Sequence, residues 1–283
     1  MLAATSLVDS VRHGLDAAAI AWRDVCLRYP PGLIEVVGSA IAQVLGFLLP
    51  ATVYLMIDLL FPKFSRKHKI QSHEKQPTGR QIVDCVLFAL FNHAFLIGGH
   101  FIVLGVFRFR YSMFVIDPEL PSPRIVLLDF VYAVLFREVL FYSVHRLLHH
   151  PRFYAWLHKK HHQFTAPISF AAVYSHPIDH LLQNAFPIAF PMIVRRAHFL
   201  SLMFFAHIVL WDAAAAHSGY DFFRLPAAEC HDRHHEHWGL NYGVIGLMDW
   251  LMGTDKLGWE REKYAKSSEK QGDPERREAA AFD

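Results

Sequence analysis

Histidine is the residue type in this sequence whose number and placement most directly indicate chemistry. The chain has 20 histidines among 283 residues, and 15 of them lie between His145 and His237. Imidazole is a common ligand of transition metals and can also transfer protons near neutral pH. Such a concentration in about a third of the chain predicts a metal-binding region.

Three short motifs carry this pattern. The first is His145-Arg-Leu-Leu-His149, whose histidines are four residues apart and so share one face of a helix. The other two have the spacing HxxHH, which on a helix also places three imidazoles on one face. They consist of His158, His161 and His162, and of His231, His234 and His235. Together the motifs supply eight imidazoles, which is too many for one ion and enough for two.

Four further residues are candidates for the same site. His217 follows the last apolar block, and His176 lies in the stretch Tyr-Ser-His-Pro-Ile-Asp, so each could add a ligand. Glu138 lies two helical turns before His145, where we expect it to accept the second ring N–H of a ligating histidine. Such an acceptor fixes the tautomer and raises the basicity of the ligand. We expect Asp179 to orient a ligand in the same way.

The ligand type alone does not choose the metal, because imidazole binds zinc, copper, iron and nickel alike. A structural zinc site would close with four ligands and usually include cysteine. The three cysteines, Cys26, Cys85 and Cys230, are far apart and form no CxxC pair. Eight or more imidazoles at the ends of apolar blocks favour two redox-active irons, which would activate O₂ to oxidise a C–H bond of a lipid.

The elements that must position these motifs are predicted to be membrane helices. The chain is 53% apolar, with 24 Phe and a mean hydropathy of +0.19. Its apolar residues form long blocks at 36–61 (with a kink expected at Pro50), 82–107, 125–144 and 181–216, the last read as a hairpin of two short helices. We predict an all-α integral membrane protein with four to five spans and a cytosolic helical cap that carries the dimetal site.

The basic residues of the loop at 62–80 orient the chain in the membrane. Six Lys or Arg within nineteen residues place this loop in the cytosol by the positive-inside rule, and the histidine motifs then face the cytosol too. We divide the chain into an N-terminal segment (1–31), one membrane-embedded oxidase domain (32–257, with the histidine region at 137–255) and a polar tail (258–283). The net charge of +2 is too small to indicate a nucleic-acid partner.

At these motifs the chain closely resembles the fatty acid hydroxylase/sterol desaturase superfamily, and its nearest branch looks like the C4-methylsterol monooxygenases. The resemblance covers roughly residues 125–255. Its elements are HRxxH at 145–149, HxxHH with Ala-Pro at 158–167, Tyr-x-His-Pro-x-acid at 174–179, HSGYDF at 217–222, HDxHH at 231–235, Asn-Tyr-Gly at 241–243 and an Asp-containing stretch at 249–254. Cys230 and Met248 depart from the pattern, since relatives often have histidine and tryptophan there.

The resemblance implies a multi-pass protein of the endoplasmic reticulum membrane with a non-haem di-iron centre that faces the cytosol. It implies O₂ as oxidant and electrons from NAD(P)H through cytochrome b5 and its reductase, as separate partners. The implied reaction is oxidation of a methyl or methylene group of a sterol or a sterol-like terpenoid, or alternatively hydroxylation or desaturation of a fatty-acyl lipid. The expected metal ligands are His145, His149, His158, His161, His162, His176, His217, His231, His234 and His235.

A second hypothesis is a non-enzymatic membrane protein that carries metal or binds haem. Haem needs only one or two axial histidines, and His93 and His100 inside the second apolar block could serve. The three motifs at the helix ends would then have no explanation. For His93, His100 and His207, which all lie inside apolar blocks, two roles stay open: a helix-packing hydrogen bond or the lining of a substrate cavity.

Overall fold

A computed structural model describes residues 2–222 and 226–255, and every regular element in these ranges is helical. The polar tail proposed at 258–283 lies outside the described residues. The longer helices are α1 (Leu2–Arg28), α2 (Pro31–Ala42), α3 (Leu49–Leu60), α5 (Gly79–Val106), α6 (Pro123–Leu148), α9 (Phe186–Val194), α10 (Phe199–Ala216) and α11 (Pro226–His237). The all-α prediction is confirmed.

Shorter helical pieces connect these helices around the histidine motifs. Four are α-helical: α4 (Pro62–His68), α7 (Pro151–Phe153), α8 (Pro177–His180) and α12 (Leu247–Met252). Three are π-helical, at Gln43–Leu48, Tyr154–His158 and Leu181–Ala185, and three are 3₁₀ turns, at His73–Lys75, His161–Gln163 and Ser169–Val173. The segment between α6 and α9 is therefore ordered but changes its helical type every few residues.

Three helices of the described ranges are long and apolar enough to cross a membrane, namely Pro31–Leu60, Gly79–Val106 and Phe199–Ala216. The block predicted at 125–144 lies within α6, which is not one of them. Asp129, Arg137 and Glu138 interrupt its apolar sequence, and all three are buried. By length and composition the count is thus three, against the four to five that we expected from the blocks. The molecule is a helical membrane protein.

Pro50 does not break the first span. Proline lacks an N–H and its ring clashes with the carbonyl group four residues earlier. The chain responds with the π-helical segment just before α3, and the rod from Pro31 to Leu60 stays continuous. Gly38 and Gly46 let α10 approach this rod closely, because a Cβ atom at Gly38 would lie 2.6 Å from the Phe199 ring and one at Gly46 would lie 3.2 Å from Leu210.

Each of the three histidines inside the apolar blocks makes a hydrogen bond to a protein acceptor. His93 donates from Nδ1 to the carbonyl oxygen of Ala89 (3.0 Å), as His207 does to Met203 (2.7 Å). His100 binds the buried carboxylate of Glu35 (Nε2 to Oε1, 2.8 Å). The cavity beside the histidine motifs is not lined by any of these three residues. His100 thus joins α5 to α2 by a helix-packing hydrogen bond, whereas the bonds of His93 and His207 lie within their own helices.

Candidate metal centre

Nine histidines come together in two adjacent groups, each with ligand nitrogens that lie within 4.8 Å of one another. The first group consists of His145, His149, His158, His162 and His234. The second consists of His161, His217, His231 and His235. Apart from the partly exposed His149, the members are buried, and His231 is the most exposed of these at 9%. Neither group includes a cysteine or a carboxylate.

Each HxxHH motif is divided between the two groups. His158 and His162 lie in the first group, whereas His161, between them in sequence, lies in the second. In α11 the arrangement is reversed: His231 and His235 lie in the second group, and His234, between them in sequence, lies in the first. The expected helix through 158–162 is wrong: a π-helical segment ends at His158 and a 3₁₀ turn begins at His161. The same division occurs in the continuous helix α11, so it does not depend on this break.

Helix ends supply the remaining ligand positions. His145 lies in the last turn of α6 and His149 is the C-cap residue of that helix. His217 is the C-cap residue of α10. The membrane-side helices thus deliver three histidines to one layer, where they meet α11 and the irregular segment at 154–163. Sequence spacing predicted this layer at the ends of the apolar blocks.

Hydrogen bonds at Nδ1 orient six of the nine rings. Five of these nitrogens donate to a backbone carbonyl oxygen at 2.7–3.1 Å. The pairs are His145 with Tyr242, His161 with Ala171, His217 with Ala213, His234 with Leu240, and His235 with Phe164. The sixth, His158, donates to the Oδ2 atom of Asp179 at 3.0 Å. With the proton on Nδ1, the lone pair on Nε2 is free to bind a metal.

The Nε2 atoms face one another at distances that suit a bound cation. Within the first group His149 lies 3.1 Å from both His162 and His234, and in the second His231 lies 2.7 Å from His217 and 3.2 Å from His235. Metal–nitrogen bonds of about 2.0–2.1 Å place neighbouring ligand atoms about 3 Å apart. The Nε2 atom of His145 is buried and has no hydrogen-bond partner among the described residues. Two ions held by imidazole alone fit this arrangement.

Burial keeps these rings neutral, as metal ligands must be. It lowers the pKa of His149 to about 2, with a further contribution from nearby His234, and it lowers the pKa of His217 to about 4. The pKa values of the other grouped histidines are shifted well below the ordinary value in the same direction, again mainly by burial. A neutral imidazole needs no deprotonation before it binds a metal.

Glu138 does not contact a histidine, which corrects the expectation from its spacing. Its carboxylate instead accepts three backbone N–H groups at 2.8–3.0 Å, from Val244, Ile245 and Met248. Glu138 can accept these N–H groups because it lies two helical turns before His145, beside the loop that follows α11. Glu138 thus fixes the loop whose Tyr242 carbonyl orients His145, and its effect on the ring is indirect.

Asp249 is a second anchor of this loop, and spacing gave no indication of its role. Its carboxylate accepts the backbone N–H groups of Tyr242 (2.8 Å) and Gly243 (2.6 Å) and the Thr254 hydroxyl (2.7 Å). A Cβ atom at Gly243 would lie 2.6 Å from the Glu138 Oε1 atom and 2.7 Å from the Asp249 Oδ2 atom. Only glycine fits between the two carboxylates.

His176 lies outside both groups, so the ligand set that the geometry supports has nine members rather than ten. Its Nδ1 atom accepts the backbone N–H of Ile178 (3.2 Å) at the start of α8. The same short helix carries Asp179, which contacts His158. His150, which is not among the ten expected ligands, likewise accepts the Arg152 N–H (3.3 Å) at the start of α7.

Buried polar contacts tie the loop at 62–80 to the histidine layer. Lys69 donates from Nζ to Asp58 (2.9 Å) and to the Ser218 carbonyl (2.7 Å), next to His217. Gln71 donates to Asp232 in α11 (2.8 Å). Local sequence does not reveal the contacts with Ser218 and Asp232, since these partners are 149 and 161 residues away. They connect the end of the first span to α10 and α11, which supply three of the four histidines of the second group.

A cavity adjoins both groups. Its empty volume is about 820 Å³, including the open space at its mouth. His145 and His158 of the first group and His161, His217 and His231 of the second contribute to its wall. A molecule in this cavity would lie beside the metal-facing nitrogens of both groups.

Comparison with known proteins identifies the family. The fatty acid hydroxylase profile matches residues 130–254, a range that holds all nine grouped histidines. The chain is 36% identical over 210 residues to fatty acid hydroxylase domain-containing protein 2 of Homo sapiens, covering 72% of this chain and 61% of that protein. It is 31% identical over 223 residues to methylsterol monooxygenase 1 of Rattus norvegicus, covering 72% and 74%. The chain belongs to the fatty acid hydroxylase family.

Members of this family differ in the reaction that their names give. The chain is also 28% identical over 233 residues to a very-long-chain aldehyde decarbonylase of Oryza sativa subsp. indica, covering 76% of this chain and 86% of that protein. It spans about three fifths of the length of the human relative. No solved structure matches it. The superfamily resemblance inferred from the motifs is confirmed, while the reaction itself is a separate question.

Proposed function

We propose that this chain is a membrane-bound, non-haem di-iron oxidase that uses O₂ to hydroxylate or oxidise a methyl or methylene group of a sterol or sterol-like lipid. The observation that carries the proposal is the pair of all-imidazole groups beside one cavity. Family membership supports it, and so does the name of the rat relative, a methylsterol monooxygenase. The site chemistry fits redox-active iron better than a four-ligand structural zinc.

In this proposal each group of histidines holds one iron. His145, His149, His158, His162 and His234 would bind one ion, and His161, His217, His231 and His235 the other. Bound iron would supply the O₂ activation that protein side chains lack. The chain orients the rings through Nδ1, with Asp179 raising the basicity of His158. Burial of the layer excludes water, and the cavity presents one carbon of the lipid to the centre.

The cellular setting is part of the same proposal. The six basic residues at 62–80 support a cytosolic position for this loop, and the contacts of Lys69 and Gln71 with the histidine layer support the same side for that layer. We propose a multi-pass protein of the endoplasmic reticulum whose electrons come from NAD(P)H through cytochrome b5 and its reductase. The division into residues 1–31, 32–257 and 258–283 stays a prediction.

A fatty-acyl hydroxylase or desaturase would use the same centre. The name of the human relative favours this candidate, and the outcome would depend on which hydrogen atoms of the substrate lie nearest the irons. The haem-binding alternative has less support, because His93 and His100 bind Ala89 and Glu35 rather than facing each other.

Metal analysis of the protein tests the proposal. Protein purified in mild detergent from iron-supplemented cells should contain about two irons per chain and show no Soret band. It should then oxidise a sterol or an acyl lipid when a reductase system and O₂ are supplied. Protein with no iron, or with a Soret band, would contradict the di-iron assignment.

A further inference from the structure

One part of the cavity wall is polar and lacks partners. Gln183 is only 7% exposed, yet neither atom of its side-chain amide has a hydrogen-bond partner among the described residues. Arg137 is 8% exposed, and its Nε atom is unpartnered in the same sense. Both residues line the cavity. Buried donors and acceptors without partners are costly, so a ligand that satisfies them would explain why they are there.

The sequence around Gln183 supports this reading. The residue lies in the π-helical segment Leu181–Ala185, between α8 and α9. Pro187 follows this segment in the same way as Pro50 follows Gln43–Leu48, so the proline accounts for the π-helical turn. The surrounding sequence is strongly apolar (Leu-Leu-Gln-Asn-Ala-Phe), and a polar side chain in such a block is expensive unless it has a function. The turn directs this amide into the cavity rather than toward lipid.

The charges in this wall select the kind of polar group that fits. Arg137 and Asp212 line the same cavity and attract each other, so their charges offset. Asp179 also lines it, with an unpartnered Oδ1 atom. A carboxylate ligand would meet two acidic side chains here. A hydroxyl group both donates and accepts, so it offers a donor to the Oε1 atom of Gln183 and an acceptor to the Nε atom of Arg137.

We propose that Arg137 and Gln183 form a subsite for the hydroxyl group of a lipid alcohol. The substrate is then a lipid with a neutral hydroxyl head rather than a free fatty acid. This inference rests on the proposed function, because it treats the cavity as the substrate site. It adds the chemical class of the head group and the residues that select it.

Binding of matched lipids to the purified full-length protein tests this subsite. Radiolabelled octadecan-1-ol would be competed with octadecanoic acid and octadecane, and cholesterol with cholestane. We expect the alcohol of at least one pair to bind about tenfold more tightly than its hydrocarbon, the effect of one or two net hydrogen bonds. We also expect octadecanol to bind more tightly than octadecanoic acid. Gln183→Met should remove the preference for alcohol while hydrocarbon binding stays within about twofold.

Two further variants complete the design. Arg137→Met should also remove the preference, and Arg124→Met, at an exposed position of the same helix, should keep it. If Arg137→Met does not fold, Gln183→Met still decides the question, because its amide makes no hydrogen bond with the described protein. Equal binding of alcohol and hydrocarbon in both pairs would overturn the subsite. So would tighter binding of octadecanoic acid that Arg137→Met abolishes, since that result describes an anion site.

The lipid-binding test and the metal analysis can each contradict one proposal without contradicting the other. Iron content is measured on the same samples. Two irons without an alcohol preference would leave the oxidase proposal standing and remove the subsite. An alcohol preference in protein that takes up no iron would support the lipid subsite and remove the oxidase.

Discussion

The two nitrogens of a grouped imidazole have separate roles in this protein. In six of the nine rings Nδ1 donates to a fixed acceptor, and in five of those the acceptor is a backbone carbonyl that no substitution can remove. The exception is His158, whose acceptor is the side chain of Asp179. This is therefore the one of the six acceptors that a substitution can remove.

Asp179→Asn should weaken iron binding by about 10- to 100-fold, the usual effect of losing a carboxylate behind a ligating histidine. The amide keeps the size of the side chain but loses the charge that raises the basicity of His158. Competition with a coloured chelator measures the affinity. Asp24→Asn, on the exposed face of α1, is the control and should bind iron as the parent protein does. An unchanged affinity in Asp179→Asn would mean that His158 does not depend on this carboxylate.

Two adjacent histidines provide a matched test of the ligand assignment. His149→Ala removes a member of the first group and should lower both iron content and turnover, the latter by at least about 100-fold. His150→Ala removes only a helix-capping contact to Arg152 and should keep two irons. His161→Ala should behave like His149→Ala, since it depletes the second group. Iron analysis and activity on the same samples check all three. Full activity in His161→Ala would count strongly against the proposed centre.

At the scale of elements, the loop after α11 is held by two carboxylates rather than by its own helical structure. Glu138 reaches it from α6 and Asp249 from α12, and their hydrogen bonds leave Gly243 between them. The loop in turn presents the Tyr242 carbonyl to His145. We therefore expect any change that moves the loop to shift His145 and weaken metal binding by the first group.

Gly243→Ala should destabilise the protein by about 1–3 kcal/mol, as expected when a methyl group is forced into a filled space. The new Cβ atom would lie under 3 Å from both carboxylates, which are fixed by their own hydrogen bonds. Iron in the first group should fall as well. Gly239→Ala is the matched control, because its Cβ atom would come no closer than 3.7 Å to the His237 carbonyl. Thermal unfolding in detergent compares the two variants. Equal midpoints would show that the loop moves to accommodate the new methyl group without loss of stability.

The sequence predicted the long elements well and the short ones poorly. The block at 82–107 became α5 (Gly79–Val106), and the predicted hairpin became α9 and α10, because continuous apolar character directly reflects burial in a membrane. The segment that holds His158 and His161 has no such signal. Its π and 3₁₀ turns are stabilised by distant partners, such as the contact between His235 and the Phe164 carbonyl. Histidines four residues apart share a group in all three motifs, whereas spacing did not predict that the third histidine of each HxxHH motif would join the other group.

At the scale of the whole molecule, the histidine layer adds a further connection between membrane helices that already pack on one another. The ends of α6 and α10 contact α11, and Lys69 connects the first span to the turn after His217. Sequence placed the motifs at the helix ends and so predicted the layer. It could not predict the Lys69 contact or the failure of Glu138 to reach a histidine, because both depend on how distant segments pack.

Protein stripped of metal should lose stability as the pH falls below about 6.5. The folded state keeps two histidines neutral, because burial lowers the pKa of His149 to about 2 and that of His217 to about 4. The unfolded chain takes up protons near the ordinary histidine pKa. Between these values the unfolded state binds more protons, so the free energy of unfolding rises with pH and is greatest above about 6.5. Thermal midpoints of chelated protein from pH 8 to pH 5 measure this, and a flat profile would contradict it.

The division of each HxxHH motif between the groups has a consequence for how the protein acquires its ions. An ion bound by His158 and His162 also fixes the backbone that carries His161, and an ion bound by His231 and His235 fixes His234. Whichever site fills first thus pre-orders the other, which is positive coupling between the two occupancies. A limited supply of metal should then yield molecules with both ions or with none, and intermediate preparations should be mixtures rather than half-loaded chains.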